Sequence, residues 1–211
     1  MHALVRLAAG IAPVCASLAS AATNLVVNGD FERANPTNAC QPLAWGIPDG
    51  LGVQWTNAPG GGHGMRFDTR QSEFDMVASW RRAGLTNEWN IPRPGIYPIA
   101  ETYGLSFYSA VFPVVSGVSY RVSCDRLGAA GAKLWVKGYG MFEGRMTQRY
   151  QTAIKSNSRQ DEWSRIEAVV HPTRQRPEVT EARVMLYAYH PPGVYWFDNV
   201  RVEPVEEAAA R

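Results

Sequence analysis

The sequence carries little excess charge of either sign, which argues against a polyanionic partner. Its 21 basic and 19 acidic residues leave a net charge of +2 over 211 residues. A protein that binds nucleic acid needs basic residues clustered on one face. Most of the basic residues here are arginines scattered along the chain. We therefore expect no nucleic-acid partner.

Motifs that carry catalysis or bind zinc are also missing. The sequence has no nucleophile elbow, phosphate-binding loop, dinucleotide motif or kinase motif. It has no CxxC, HExxH or Cys/His cluster, so no zinc site is predicted. A glycosidase needs two facing carboxylates, and no spacing pairs any of Glu73, Asp75, Glu101, Glu143 and Glu167. The prediction is a protein that is not an enzyme.

Long hydrophobic runs are absent except at the N-terminus. Arg6, the apolar stretch 7–18 and the small residues 19–21 are typical of a cleaved signal peptide over residues 1–21. The stretch is too short to span a membrane. We predict an exported protein, secreted or held in the periplasm or cell envelope, with no membrane span. One domain would cover residues 22–204, followed by a flexible tail at 205–211.

Cysteine is scarce, and two of the three cysteines remain after residue 21. In an oxidising compartment Cys40 and Cys124 can form a disulfide that stabilises the fold by roughly 3–5 kcal/mol. Spacing alone does not bring their Cα atoms within bonding reach, so two buried thiols are the alternative. The sequence leaves both open.

The 19 glycines, 14 prolines and 11% aromatic residues favour short strands joined by turns. No segment after residue 21 shows a helical apolar stripe, whereas residues 118–126 alternate strictly, as a half-buried strand does. Prolines in residues 81–104 predict a long, ordered loop. The predicted strands cover residues 25–27, 52–56, 65–68, 74–80, 105–114, 118–126, 133–142, 165–171, 183–190 and 194–203.

Four stretches in order resemble a known domain. They are residues 24–32 (NLVVNGDFE), 113–120 (PVVSGVSY), 161–163 (DEW) and 195–200 (YWFDNV). Together they resemble the galactose-binding-like jelly-roll domains, especially carbohydrate-binding modules of the family 4/9 kind, over about residues 24–203. The resemblance implies an all-β fold, a single β-sandwich jelly roll, that binds a polysaccharide or oligosaccharide without catalysis.

Two predicted strands, residues 133–142 and 183–190, alternate so that rings and cations lie on one side and aliphatic residues on the other. Flat rings pack against the C–H faces of a sugar, and nearby polar groups bond its hydroxyls. If the loop 81–104 lies over these rings, they form a second layer of core instead. Trp163 and Trp196 are expected in the core. The predicted ligand-binding residues are Trp135, Tyr139, Tyr187, Tyr189 and Arg183, with Trp89 from the loop.

The resemblance also implies a structural Ca²⁺ where the first and last strands meet. The matching positions are Glu32 and Asp198, with Asp30 as a lesser contributor. Calcium takes six to eight oxygen ligands, which carboxylates, carbonyls and water would supply. The alternative is that these acids pair with arginines or cap turns.

Two other functions stay open on the sequence. One is a structural or protein-interaction module of the cell envelope that uses the same face. The other is a small polysaccharide-degrading enzyme with its site on the 81–104 loop.

Overall fold

The computed structural model describes residues 23–82, 84, 96–101 and 104–205, in which strands predominate over two short helices. Residues 1–22, 85–95 and 206–211 lie outside the described residues, with the predicted signal peptide, Trp89 and most of the tail. The strands are β1 Ala34–Asn35, β2 Asn38–Pro42, β3 Val53–Asn57, β4 His63–Asp68, β5 Leu105–Tyr108, β6 Phe112–Pro113, β7 Ser119–Gly128, β8 Lys133–Phe142, β9 Arg145–Lys155, β10 Gln160–Val170, β11 Val179–Ala188 and β12 Val194–Val205. The helices are α1 Glu73–Arg82 and α2 Pro98–Glu101.

Ten of these strands form two larger sheets, in which every pairing is antiparallel. The first sheet has the order β10-β7-β12-β4-β3. The second sheet has the order β5-β11-β8-β9, and β6 also pairs with β11. Strands β1 and β2 make a small separate hairpin. The predicted all-β sandwich is confirmed.

Alternation along the strands builds the core between the sheets. In β8, Leu134 and Val136 are buried, and in β11, Val184 and Leu186 are buried. Their sequence neighbours point to the other side of the sheet, because successive side chains of a strand alternate. Aromatic rings from the first sheet, such as Phe197, fill the facing half of the core. The alternation predicted for residues 133–142 and 183–190 is confirmed.

The strand predicted over residues 74–80 is wrong, because this segment is helix α1. Ser72 caps the helix: its hydroxyl accepts a bond from the Asp75 N–H at 3.2 Å and donates one to the Asp75 carboxylate at 2.7 Å. Acidic residues in the first turn and Arg81 and Arg82 in the last complement the helix dipole. The cap and the charges at the ends thus favour a helix in a segment whose apolar residues show no strong period.

Two further strand predictions need correction. Residues 25–27 form a bend and turn rather than a strand. Strand β9 was not predicted, because its sequence is mostly polar and only Ile154 within it is buried. It forms the outer strand of the second sheet, so one of its edges lacks a partner strand in the sheet order.

The prediction that Trp163 and Trp196 lie in the core is wrong, because both side chains are only half-buried. Trp196 lies between the buried Tyr195 and Phe197 on β12, so alternation turns its ring to the outer side of the first sheet. Trp163 is half-buried, and its Nε1 donates to the Pro59 carbonyl at 2.8 Å. Both rings are therefore partly open to solvent.

Of the two alternatives that the sequence leaves open, the disulfide does not form, because both described cysteines are free thiols, and two buried thiols are found only in part. Cys124 is fully buried on β7, whereas Cys40 is exposed on β2. Cys124 points into the core between the sheets, which an exposed hairpin residue does not reach. Burial raises the pKa of the Cys124 thiol well above its usual value.

The two thiols are therefore expected to differ in reactivity. Iodoacetamide applied to the native protein should modify Cys40 and leave Cys124 unmodified, because a buried, protonated thiol is neither accessible nor nucleophilic. Unfolding in urea should expose Cys124 to the same reagent. Peptide mapping by mass spectrometry measures both sites, and equal labelling of the two in the native protein would contradict this core.

Candidate functional site

The predicted ring-bearing residues come together on the outer side of the second sheet. Strands β8 and β11 pair so that Trp135 lies opposite Met185 and Lys137 lies opposite Arg183. Tyr139 lies opposite Glu181 in the same register. We call this surface the ring face. It consists of Tyr108, Lys133, Trp135, Lys137, Tyr139, Glu181, Arg183, Met185, Tyr187 and Tyr189.

Arg183 is held between two tyrosine rings at one end of the ring face. Its guanidinium carbon lies 4.3 Å from the centre of the Tyr108 ring and 5.2 Å from that of Tyr139. Its Nε donates a hydrogen bond of 2.8 Å to the Tyr139 hydroxyl. Cation–π contacts of this kind position the guanidinium without neutralising its charge.

The other end of the ring face repeats this arrangement with a lysine. The Lys133 ammonium lies 5.3 Å from the centre of the Tyr187 ring. Tyr187 in turn stacks on Tyr189, with ring centres 6.4 Å apart and planes inclined by 21°. Burial raises the pKa of the Tyr187 hydroxyl.

The rings of this face are half-buried. Met185 fills the middle and is only 6% exposed, whereas Trp135, Tyr139 and Tyr187 keep part of their surface in solvent. Gly104 packs against the Tyr187 hydroxyl, since a Cβ at that position would come within 3.0 Å of it. The ring face is therefore partly covered at its Tyr187 end and partly open elsewhere among the described residues.

Trp135 has a polar group without a partner. Its Nε1 is buried and has no hydrogen-bond acceptor in the part of the chain that the structure describes. A buried N–H without an acceptor costs about 1–3 kcal/mol. This indole donor lies in the middle of the ring face.

Sequence reasoning missed one ring, Tyr108. It lies on β5 opposite Met185, where it contacts Arg183 and stands 5.6 Å from the Lys137 ammonium. The sequence contains a signal for this position, because the apolar Leu105 and Phe107 alternate with Ser106 and Tyr108. Leu105 and Phe107 are buried, so Tyr108 faces the outer side of the sheet. Trp89, predicted to join this site, lies outside the described residues.

Residues 25–29 meet the last described strand, β12, at the position where the resemblance implies a calcium site. The Leu25 N–H donates to the Val202 carbonyl, and the Val200 N–H donates to the Gly29 carbonyl, each at 2.8 Å. Asp198 stands beside this junction on β12. The Glu32 carboxylate accepts a bond of 2.8 Å from the His63 N–H across the neighbouring turn.

Acidic residues concentrate negative charge around Asp198. Burial raises the pKa of the Asp198 carboxyl to about 7, and Asp125, Glu32 and Asp30 add to this rise by repulsion. The Asn199 N–H, which donates to Asp198 at 2.6 Å, acts in the opposite direction. A cation would relieve this repulsion.

Side chains alone do not complete a metal shell at this junction. Among the described residues, no three His, Cys, Asp or Glu side chains come together closely enough to hold a metal ion. Calcium here would need backbone carbonyls and water beside Glu32 and Asp198. The charge of the junction suits a divalent cation, whereas its carboxylates alone are too dispersed to bind one.

A separate cleft of about 530 Å³ lies at one end of the first sheet. Arg70, Arg159, Asp161 and Trp196 line it together with the turn at Pro191. The Asp68 carboxylate holds Arg70 through two bonds of 2.8 and 2.9 Å. None of the predicted ligand-binding residues that the structure describes lines this cleft.

Comparison with known proteins identifies the fold. No protein-family model and no curated protein matches the sequence. A family 16 carbohydrate-binding module is 14% identical, with a TM-score of 0.50, and the alignment covers 87% of this chain and 100% of that one. The enzymatically active domain of tailspike protein 4 from bacteriophage CBA120 is 10% identical, with a TM-score of 0.51. That alignment covers 86% of this chain and 21% of the tailspike chain.

These likenesses show the β-sandwich fold that the sequence resemblance implies. At such low identity they describe the fold alone. A search of the described helices found no segment long and apolar enough to cross a membrane.

The repulsion around Asp198 predicts a pH-dependent stability. In the presence of a chelator, Asp198→Asn should unfold at a higher temperature than the wild type at pH 8. A carboxyl whose pKa is raised from 3.8 to about 7 on folding contributes stability below its unfolded pKa and loses it as the pH rises through 7. The advantage of the variant should therefore shrink as the pH falls from 7 toward 4.

Melting curves at several pH values measure this effect. Asp161→Asn is the control, because Asp161 is exposed and pairs with Arg159 at the surface. An Asp198→Asn variant whose advantage is the same at pH 4.5 and pH 8 would contradict the raised pKa.

Proposed function

We propose that this chain binds a polysaccharide or oligosaccharide, without catalysis, through the ring face. The observation that carries the proposal is the set of aromatic rings on the outer side of one sheet, with the aliphatic residues of the same strands in the core. Rings are partly exposed there at Trp135, Tyr139 and Tyr187. The fold is one that carbohydrate-binding modules use.

Sugar rings suit this surface because their faces carry apolar C–H groups and their edges carry hydroxyl groups. Their axial C–H groups pack on flat aromatic faces, and Tyr and Trp present such faces at little cost in rotamer entropy. Tyr187 and Tyr189 are stacked at an inclination of 21°, so each already has a fixed plane. A saccharide chain lying across β8 and β11 would meet Tyr139, Trp135 and Tyr187 in turn.

Hydroxyl groups of the saccharide find polar partners between the rings. The Arg183 Nε donates to the Tyr139 hydroxyl. Its two terminal nitrogens donate to no acceptor among the described residues, so they are available to donate to a ligand. Glu181 offers acceptor oxygens next to Tyr139. The buried Trp135 Nε1 lacks an acceptor among the described residues. A ligand oxygen that reached the indole N–H would supply that acceptor.

The scarcity of carboxylates on the second sheet favours binding over hydrolysis. Glu181 is the single Asp or Glu in the five strands of that sheet. Glycoside hydrolysis uses two carboxyl groups that flank the bond. The ring face thus has binding groups without an acid–base pair of its own.

Export belongs to this proposal as well. A saccharide-binding module acts where polysaccharides occur, and the predicted signal peptide over residues 1–21 would deliver it outside the cytoplasm. The cations between the rings make an apolar protein-docking surface the weaker alternative for this face.

Truncating rings of this face should weaken binding. Trp135→Ala and Tyr187→Ala should each lower the affinity for the bound polysaccharide about 3- to 10-fold, from loss of one aromatic contact. Affinity gel electrophoresis across glucan, xylan, mannan, galactan and acidic polysaccharides identifies the ligand and measures the retardation.

Trp196→Ala is the matched variant, because its ring lies on the outer side of the other sheet beside the 530 Å³ cleft. It should bind as the wild type does. Loss of binding in Trp196→Ala with retention in Trp135→Ala would move the site to that cleft. No retardation with any polysaccharide would remove the proposal.

We further propose that calcium binds where residues 24–32 meet β12, with Glu32 and Asp198 as its carboxylate ligands. The acidic field that raises the pKa of Asp198 supports the proposal. Millimolar Ca²⁺ should raise the melting temperature of chelator-treated wild type at pH 8, and Asp198→Asn should lose most of this response. Mg²⁺ is the control, since it needs a stricter octahedral shell. A wild type that does not respond to Ca²⁺ would contradict the site.

A further inference from the structure

The ring face concentrates positive charge that the chain as a whole does not have. The sequence contains three lysines, Lys133, Lys137 and Lys155, and all three point to the outer side of the second sheet. Arg183 adds a fourth cation, and Glu181 is the single carboxylate among the residues of these strands. The ring face and the neighbouring Lys155 on β9 together therefore carry about +3, whereas the whole chain carries +2.

Strand register places these cations in like-charged pairs. Lys137 and Arg183 are direct cross-strand partners on β8 and β11. Lys133 and Lys155 are direct partners on β8 and β9. Like charges directly opposite each other destabilise a sheet, so folding alone does not favour two such pairs on one face.

Aromatic rings hold three of these four cations without neutralising them. Arg183 lies over Tyr108 and Tyr139, Lys137 lies near Tyr108, and Lys133 lies near Tyr187. Within the described part of the chain, Lys133, Lys137 and Arg183 form no ion pair with a carboxylate. Elsewhere, by contrast, Arg66, Arg70 and Arg149 each bind an acid at 2.8–2.9 Å.

We propose that the saccharide bound by the ring face is an anionic polysaccharide, one that carries carboxylate or sulfate groups. This inference rests on the proposed function and specifies its ligand. The two cation pairs lie four residues apart along β8, about 13 Å at the rise of a strand. Anionic groups repeated along a saccharide chain would meet both pairs, while its sugar rings lie on Trp135 between the pairs, on Tyr187 beside Lys133 and on Tyr139 beyond Lys137.

Matched polysaccharides separate charge from sugar recognition. The full chain is run by affinity electrophoresis against polygalacturonate and its methyl ester, and against dextran sulfate and dextran. At least one charged polymer should bind about tenfold more tightly than its neutral counterpart. The carboxylate and sulfate pairs distinguish the two sources of charge. Raising NaCl from 0.1 to 1 M, which shortens the Debye length from about 10 to about 3 Å, should remove most of that difference.

Variants locate the effect on the ring face. Lys137→Gln should weaken binding of the charged polymer about two- to fivefold, and Lys133→Gln with Lys137→Gln should weaken it further. Because both lysines belong to the ring face, some loss of binding to the neutral counterpart is expected, but the loss should be clearly smaller than that for the charged polymer. Arg121→Gln is the control: it removes one exposed charge from β7, on the other sheet, and should bind as the wild type does.

Three outcomes would overturn the proposal. Equal binding of charged and neutral polymers leaves saccharide binding in place and removes the anionic ligand. Binding of a single-stranded oligonucleotide as tight as that of the charged polysaccharides shows a surface that takes any polyanion. No binding of any saccharide overturns the function on which this inference rests.

Discussion

Burial of the aliphatic side chains of β8 and β11 is the constraint on which this account depends. Leu134, Val136, Val184 and Leu186 are all removed from water in the core, and burial of each such side chain is worth about 1.5–3 kcal/mol. A shift of either strand by one residue would expose the two aliphatic residues of that strand and bury its rings and cations instead. The packing of the core thereby fixes which side chains face outward.

The consequence is a surface in which rings and cations order one another. Arg183 contacts two tyrosine rings, and Lys133 stands over Tyr187. These contacts cost flexible side chains part of their entropy in the free protein, so less remains to be lost on binding. Met185 is buried between Tyr108 and Trp135, its partners on the neighbouring strands. Such preordering suits a ligand that is itself extended and weakly held at each sugar.

Prediction from sequence succeeded where one simple period decides the structure. Strict alternation in residues 133–142 and 183–190 identified two strands, their inner faces and most of the ring face. It failed at α1, because the cap by Ser72 rather than an apolar stripe specifies the helix. It also failed at β9, whose single buried residue leaves little pattern to read.

Long-range placement lay beyond the sequence for a different reason. Tyr108 reaches Arg183 only because β5 pairs with β11, and Lys155 reaches Lys133 only because β9 pairs with β8. Strand order is set by the whole sandwich, so no local window contains it. For the same reason the spacing of Cys40 and Cys124 did not reveal that one is exposed and the other buried.

The most direct test of the account is an NMR titration of the labelled chain with oligosaccharides cut from the polysaccharide that retards it most. The chemical shifts of the β8 and β11 backbone amides and of the Trp135 indole N–H should change in a saturable manner. The chemical shifts of the first-sheet amides should stay unchanged. Shifts confined to the turn at Pro191 and to Trp196 would contradict the assignment of binding to the second sheet.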